Sequence, residues 1–409
     1  MNILYIEHYA GSPRHGMEYR PYYLAREWVR AGHRVQIVAA DHSHVRTVQP
    51  QAGDERIDGI DYRWLATPGY TGNGVGRARN ILAFNLKLWR QANHWAMAWR
   101  PDAVIASSTY PMDIWVARAI ARRARPAPAR LVYEVHDLWP LSLIELAGMS
   151  PRHPFARLCQ WAEDTACRDA DVVVSMLPKV HQHMAAHGLD LSRLAIVPNG
   201  VSPEDWSALR EPLRDDVLNA IARQRAAGRT VVGYAGSMGL PNALDTLLDA
   251  AHAAQQDSGL GFVLVGDGHE RLRLEQRVAR ETIRNVTLLP PIPKGQVPAF
   301  LAATDIAYIG WQRAPIYRFG IAPNKLMDYM MAGCAVLHSV EAANDPVAES
   351  GCGLTVAPES PSAVLHGLRT LAALGGSERR AMGERGRAFV LANHSYPVLA
   401  RRFLDAIER

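Results

Sequence analysis

Lys325 and Asp328 stand three residues apart in the stretch 317–333, YRFGIAPNKLMDYMMAG. That spacing puts an ammonium and a carboxylate on one face of a helix. Pro323 suits a helix start, where its missing N–H costs nothing, and Gly333 suits the position just past a helix end. A helix is therefore predicted over 323–332. Its first residues, Pro323, Asn324, Lys325 and Leu326, would form a terminus whose free N–H groups and dipole favour an anion, with Arg318 in the loop before it. A cation, an anion-seeking terminus and a carboxylate that accepts from a diol are what a nucleoside diphosphate needs. The same residues would also make an ordinary surface pair on an ordinary helix, and the surroundings have to decide.

Those surroundings alternate short apolar strands with helices. Residues 2–6 read as a buried strand, a loop with Gly11 and Gly16 follows, and a helix is predicted over 18–31. The loop lacks G-x-G-x-x-G spacing, which argues against a dinucleotide site. Further strands are predicted at 35–39, 60–65, 104–107, 131–135, 172–175 and 195–197. The pattern pauses at Val197-Pro198-Asn199-Gly200, and Pro203 and Pro212 beyond it suit a linker. A second alternation has candidate strands at 231–235, 262–265, 286–289, 306–309, 335–338 and 354–356. The fold class is α/β, two halves with parallel sheets covered on both faces, divided at 197/198. Their carboxyl edges are expected to face a central cleft, where ligands sit in such sheets. His136 falls at the carboxyl end of the 131–135 strand.

A chain of 409 residues is too long for one ordinary core, and 48% hydrophobic content is ample for two. The net charge is +5, and lysine occurs only at 87, 179, 294 and 325, so arginine carries the cationic charge. This balance suits phosphorylated ligands or anionic lipid, and no motif points to nucleic acid. Cys159, Cys167, Cys334 and Cys352 show no paired CxxC spacing, so neither a zinc site nor a disulfide framework is indicated and a cytoplasmic protein is expected. The N-terminus enters a strand without a basic leader, and no apolar run approaches bilayer-spanning length. Any membrane contact is thus expected to be peripheral. Residues 80–99 carry two stripes, one with Ile81, Phe84, Leu88, Trp95 and Trp99, the other with Leu82, Leu86, Trp89 and Met97 beside Lys87 and Arg90. With Arg118, Arg122, Arg123, Arg125 and Arg130 they could rest on an anionic bilayer. Burial of both stripes between layers is the alternative.

GMEYRPYYLA (16–25), VHDLWP (135–140), VPNGV (197–201), VGDG (265–268) and PNKLMDYMMAG occur in an order that resembles family 4 retaining glycosyltransferases, in particular their WbuB-like branch of bacterial surface-polysaccharide enzymes. The resemblance implies a GT-B architecture of two Rossmann-like domains. Residues 1–197 would face the acceptor, 198–392 would hold the nucleotide-sugar, and a closing helix within 393–409 would pack back onto the first domain. It implies that Asp328 bonds the nucleotide ribose, that His136 contacts the donor sugar on the reacting side, and that Gly16 and Met17 let backbone approach the donor. Gly236 and Ser237 would lie along the diphosphate, Pro291 and Ile292 would flank the base, and Arg20, Glu18 and Asp137 would line the acceptor side or cleft.

Two departures follow. The family's first acidic residue should lie eight positions before Asp328, where this chain has Gly320. The loop after the 231–235 strand reads GSMGLPN, without the Arg and Lys that relatives set against the diphosphate. Lys325, backbone N–H groups and Arg318, Arg313 or Arg20 would then balance it. The resemblance implies transfer of a sugar, of the N-acetylated or deoxy aminosugar type, from a UDP-sugar to a lipid-linked saccharide with retention. No cofactor and no metal is expected, because no DxD-like pair stands in a suitable loop and the helix terminus can do the metal's electrostatic work. The protein would be peripheral on the inner face of the bacterial cytoplasmic membrane. A non-hydrolysing UDP-sugar epimerase, or a weakly catalytic nucleotide-binding subunit of a polysaccharide complex, are the other readings.

Overall fold

Runs such as NILYI and VVVS have no polar face, so they form strands where helices cover both sides of a sheet. The computed structural model describes residues 1–72, 74–208, 211–257 and 259–409 and contains two such sheets. The chain divides into two units, Met1–Asn199 with Tyr396–Arg409, and Gly200–Ser395.

In the first unit the strands are β1 (Asn2–Ile6), β2 (Arg34–Ala40), β3 (Gly53–Ile57), β4 (Ile60–Leu65), β5 (Ala103–Ala106), β6 (Arg130–Val135), β7 (Val172–Ser175) and β8 (Leu194–Ile196). They lie in the order β3-β4-β2-β1-β5-β6-β7-β8, parallel except for the β3–β4 hairpin. Sequence reading misses β3 because GDERI has no apolar run. The usable signal is the Asp58-Gly59 turn, whose φ angles of 50° and 84° suit a two-residue hairpin. Strand order reverses between β1 and β5, so the loops after them part there and open a crevice. The first helix starts at Arg20 and leaves Glu18 in the preceding loop. The closing helix Tyr396–Glu408 packs on it: Trp28 donates its indole N–H to the Ala400 carbonyl at 3.0 Å, and its ring lies 5.2 Å from that of Phe403.

The helix Val75–His94, widened into a π turn over Trp95–Trp99, buries Ile81, Phe84, Leu88, Ala92 and Trp95. Its second stripe is not buried. Leu82, Leu86, Trp89 and Met97 are between 47% and 68% exposed, which overturns the alternative of a helix covered on both faces. Among the described residues no helix is long and apolar enough to cross a membrane.

The second unit has β9 (Thr230–Ala235), β10 (Leu260–Val265), β11 (Val286–Leu289), β12 (Ile306–Gly310), β13 (Ala335–Ser339) and β14 (Gly353–Val356), in the order β11-β10-β9-β12-β13-β14 and all parallel. Here the reversal falls between β9 and β12. The helix Asn324–Met331 follows β12 and buries Leu326, Met327, Tyr329, Met330 and Met331 against Val231, Ala235 and Val336. The Tyr329 hydroxyl accepts from the Ala235 N–H at 2.9 Å and donates to its carbonyl at 3.2 Å, which fastens the helix to the end of β9.

Candidate active site

At the end of β9 the chain turns through Gly236 and Ser237. Gly236 has φ of +149°, and a Cβ there would stand 2.5 Å from Lys325 Cε, so only glycine lets the loop cross the lysine. Lys325 Nζ donates to Tyr234 Oη at 2.7 Å and Asn242 Oδ1 at 2.9 Å, and lies 4.2 Å from the Tyr234 ring centroid. All three contacts are neutral. Burial pushes the lysine pKa down to about 7.

The helix begins at Asn324, one residue later than the spacing suggests, and its cap, Pro323, supplies no side-chain acceptor. The N–H groups of Asn324, Lys325 and Leu326 are thus left for a ligand, although the Leu326 side chain is buried in the core. Asp328 sits one turn on, partly buried, and its carboxylate makes no hydrogen bond with any described residue. Burial raises its pKa to about 6, with Lys294 pulling the other way. Lys325 and Asp328 therefore do not form a surface pair. The lysine is tied to the β9 side and the carboxylate is unpartnered.

Of the other candidates in this unit, Ser237 is exposed and its carbonyl accepts from the Tyr234 hydroxyl. Pro291 is exposed and Ile292 packs against the core. The Arg318 guanidinium lies 4.3 Å from the Phe319 ring. Gly320 places no carboxylate where the resemblance expects the first acid, and the loop without the expected Arg and Lys supplies Asn242 as a neutral acceptor for Lys325. Sequence reading misses Tyr234, Asn242 and Lys294 as neighbours of the pair, since nothing local joins them to it.

In the first unit His136 follows β6. Its Nε2 lies 2.8 Å from Ser107 Oγ and 3.5 Å from Glu134 Oε2. Ser107 donates to Glu134 Oε2 at 2.6 Å, Tyr5 donates to the same oxygen, and Arg20 places Nε and Nη2 2.9 Å and 2.8 Å from Oε1. Burial would raise the Glu134 pKa, but Arg20, His136 and Ser107 outweigh it and hold the carboxyl well below the usual range. Burial also opposes the His136 imidazolium, yet Glu134 overrides it and raises that pKa. With Nε2 held inward as a donor, Nδ1 is the ring nitrogen without a partner among the described residues.

Arg20 requires correction. Expected on the acceptor side and as a reserve phosphate cation, it is 1% exposed and also donates to the carbonyls of Val197 at 2.8 Å and Pro198 at 2.7 Å. A buried guanidinium must be satisfied inside the fold, and this one is. Gly16, with φ of +99°, is buried against Thr47, while Met17 is 48% exposed, Glu18 half-buried and Asp137 exposed. One residue escapes sequence reading here. Glu7, buried past the end of β1, has its pKa raised to about 8 by burial, His136 opposing and Glu18 adding to the shift. A carboxylate breaking an apolar strand's end is the signal that could have found it.

Two α/β units, each built on a sheet that is parallel apart from the β3–β4 hairpin of the first and each with one reversal of strand order, make the GT-B architecture. Residues 15–200 match the model of the glycosyl transferase 4-like domain, and residues 229–373 match that of glycosyl transferases group 1. The chain belongs to the family 4 glycosyltransferases of GT-B type and is a glycosyltransferase. It is 23% identical over 281 residues to the putative colanic acid biosynthesis glycosyl transferase WcaI of Escherichia coli (strain K12), and spans 66% of that relative's length, with 66% of its own chain matched. Sucrose-phosphate synthase of Thermosynechococcus elongatus superposes with a TM-score of 0.74 at 15% identity, covering 100% of this chain and 98% of its own. Anabaena HepE in complex with UDP-glucose gives 0.66 at 14%, covering 99% of each chain. WaaG, a glycosyltransferase involved in lipopolysaccharide biosynthesis, gives 0.66 at 15%, also with 99% of each chain covered. At these identities the structures speak to fold.

Proposed function

We propose that the protein transfers a sugar, of the N-acetylated or deoxy aminosugar type, from a UDP-sugar to a lipid-linked saccharide in bacterial surface-polysaccharide synthesis, with retention. The observation that carries this reading is the unpartnered Asp328 carboxylate one helical turn from Lys325 and the uncapped N–H groups. The carboxylate accepts from the ribose diol, and the ammonium under Gly236 meets the diphosphate. As the glycosidic bond breaks, charge grows on the leaving diphosphate, so Lys325 and the fixed N–H groups favour the transition state over the ground state. The departing phosphate oxygen takes the acceptor's proton on the same face, which gives retention without a protein nucleophile. His136, oriented by Ser107 and Glu134, contacts the donor sugar through Nδ1. The helix terminus and Lys325 supply the electrostatics, so turnover is expected to survive EDTA. The names of WcaI, HepE and WaaG are consistent with this chemistry.

The test is incubation with a panel of UDP-sugars, with and without undecaprenyl-diphosphate-linked acceptors, following UDP release and product mass. Acceptor-dependent UDP release with a heavier lipid product is expected. Isomerised UDP-sugar without acceptor, or intact donor throughout a broad panel, would sink the reading.

The lipid-linked acceptor motivates a docking face. Leu82, Leu86, Trp89 and Met97 are exposed beside Arg90, and Arg122, Arg123 and Arg125 on and after the Ile114–Arg123 helix are exposed too, whereas Arg118 is spent on Asp169. Apolar side chains interleaved with arginine fit an anionic bilayer at the inner face of the cytoplasmic membrane. Flotation with anionic liposomes at low salt is expected to fall several-fold in the Trp89→Ala, Arg90→Ala variant. Equal flotation of the two proteins would remove this face.

A further inference from the structure

The helix Pro154–Asp169 and the helix His181–Ala186 with its C-terminal cap His187, both in the first unit, carry a cluster of metal-ligating side chains that the donor site does not use. His183 and His187 are four residues apart, so their rings leave the same side of the chain, with centroids 4.5 Å apart. Glu163 and Asp164 meet them from the longer helix. His183 Nε2 is 2.8 Å from Glu163 Oε1, and His187 Nδ1 is 2.8 Å from Asp164 Oδ1. One ligand atom from each of Glu163, His183 and His187 lies within 4.8 Å of the others. An ion that bonds nitrogen and oxygen at about 2.0–2.2 Å is reached from there by small side-chain rotations.

Charge in the cluster is out of balance. Glu163 is 1% exposed, and neither it nor Asp164 has a Lys or Arg within ion-pair distance among the described residues. The Gln160 amide does not make up the deficit. Its Nε2 stands 2.9 Å from Glu163 Oε2, 2.9 Å from Asp164 Oδ1 and 3.0 Å from His187 Nδ1, three neighbours for a nitrogen with two hydrogens. A divalent ion supplies positive charge at one point, shared by the carboxylates and the ring nitrogens.

We propose that Glu163, His183 and His187 bind a divalent first-row metal ion, Zn2+ by its preference for imidazole with carboxylate, with Asp164 beside His187 adding oxygen donors. On binding, a hydrogen on either ligating ring nitrogen leaves to solvent or shifts to the other ring nitrogen, and no electron is transferred. The ion would clamp the short helix onto the long one. It would be structural and would take no part in sugar transfer, so this inference stands apart from the proposed function.

The test uses full-length, tag-free protein stripped with EDTA and titrated with ZnCl2 and CoCl2. One equivalent of Zn2+ should bind, raise Tm by roughly 5 °C at saturation, and displace Co2+ showing the visible bands of a low-coordinate site. His187→Ala, at a partly exposed position that leaves the core intact, should still unfold cooperatively yet bind at least tenfold more weakly. Glu163→Gln should do the same with a conserved shape. His181→Ala, on the exposed side of the same helix, should bind as the parent does. Failure of the stripped protein to take up a stoichiometric ion, or equal uptake by His187→Ala and the parent, overturns the proposal.

Discussion

Two carboxylates, one in each unit, meet burial in opposite ways. Glu134 receives hydrogen bonds from Tyr5, Ser107 and Arg20 and stays ionised. Asp328 receives none and is pushed up to about 6. Their cations follow suit: Arg20 is consumed by Glu134 and two backbone carbonyls, while Lys325 rests on neutral oxygens and is pushed down to about 7. A charge that its own fold has satisfied holds the fold together. One left unsatisfied is held ready for a ligand.

The largest expected effect breaks the satisfied side. Arg20→Met strands Glu134 in the core and should lower unfolding stability of the first unit by about 3–5 kcal/mol in denaturant titration. An unchanged midpoint would mean that Arg20 is not the internal partner described. On the unsatisfied side, Lys325→Ala should weaken UDP binding roughly 100-fold by calorimetry, within the range for removing one partner of a charge pair, without lowering Tm. Asp328→Asn should cost about tenfold in UDP affinity and leave stability level or higher, since an unpaired buried charge is removed. A 2′,3′-dideoxy analogue should bind parent and variant alike. If it discriminates between them, the carboxylate does not serve the diol.

The smallest effect is a pH profile that treats both groups at once. Above about 7 the free Lys325 has lost its proton, so binding a diphosphate must take one up, and affinity should fall towards tenfold per pH unit as pH rises. Below about 6 the free Asp328 is protonated, so restoring the accepting carboxylate releases a proton and affinity falls as pH drops. A UDP-sugar, whose diphosphate has no further proton to lose, should therefore bind best between these limits. A flat profile across them would remove the contrast between the two units.

How much of this the sequence shows depends on range. The parallel strands are legible because burial on both faces makes each an apolar run, and β3 is not, because a polar edge hairpin has none. The helix with Lys325 and Asp328 is legible because its spacing and its punctuation by Pro323 and Gly333 are local. The partners of Lys325 are not, since Tyr234 and Asn242 lie 91 and 83 residues away and reach it only through the order of β9 and β12. Arg20 misleads for the same reason, its partner Glu134 being 114 residues distant. Two apolar stripes on residues 80–99 fix a helix but cannot say which stripe faces water.

The helix Tyr396–Glu408 completes the core of the first unit, yet it is encoded after the whole of the second. A ribosome finishes residues 200–395 before the segment that covers Trp28 and Tyr23 exists. At about 5–20 residues per second that interval is on the order of 10–40 s. By its end the second unit has its entire sequence in hand, while the first still stands with an open apolar face. The order of assembly is thereby written into the connectivity: the second unit can fold as it emerges, and the first closes last.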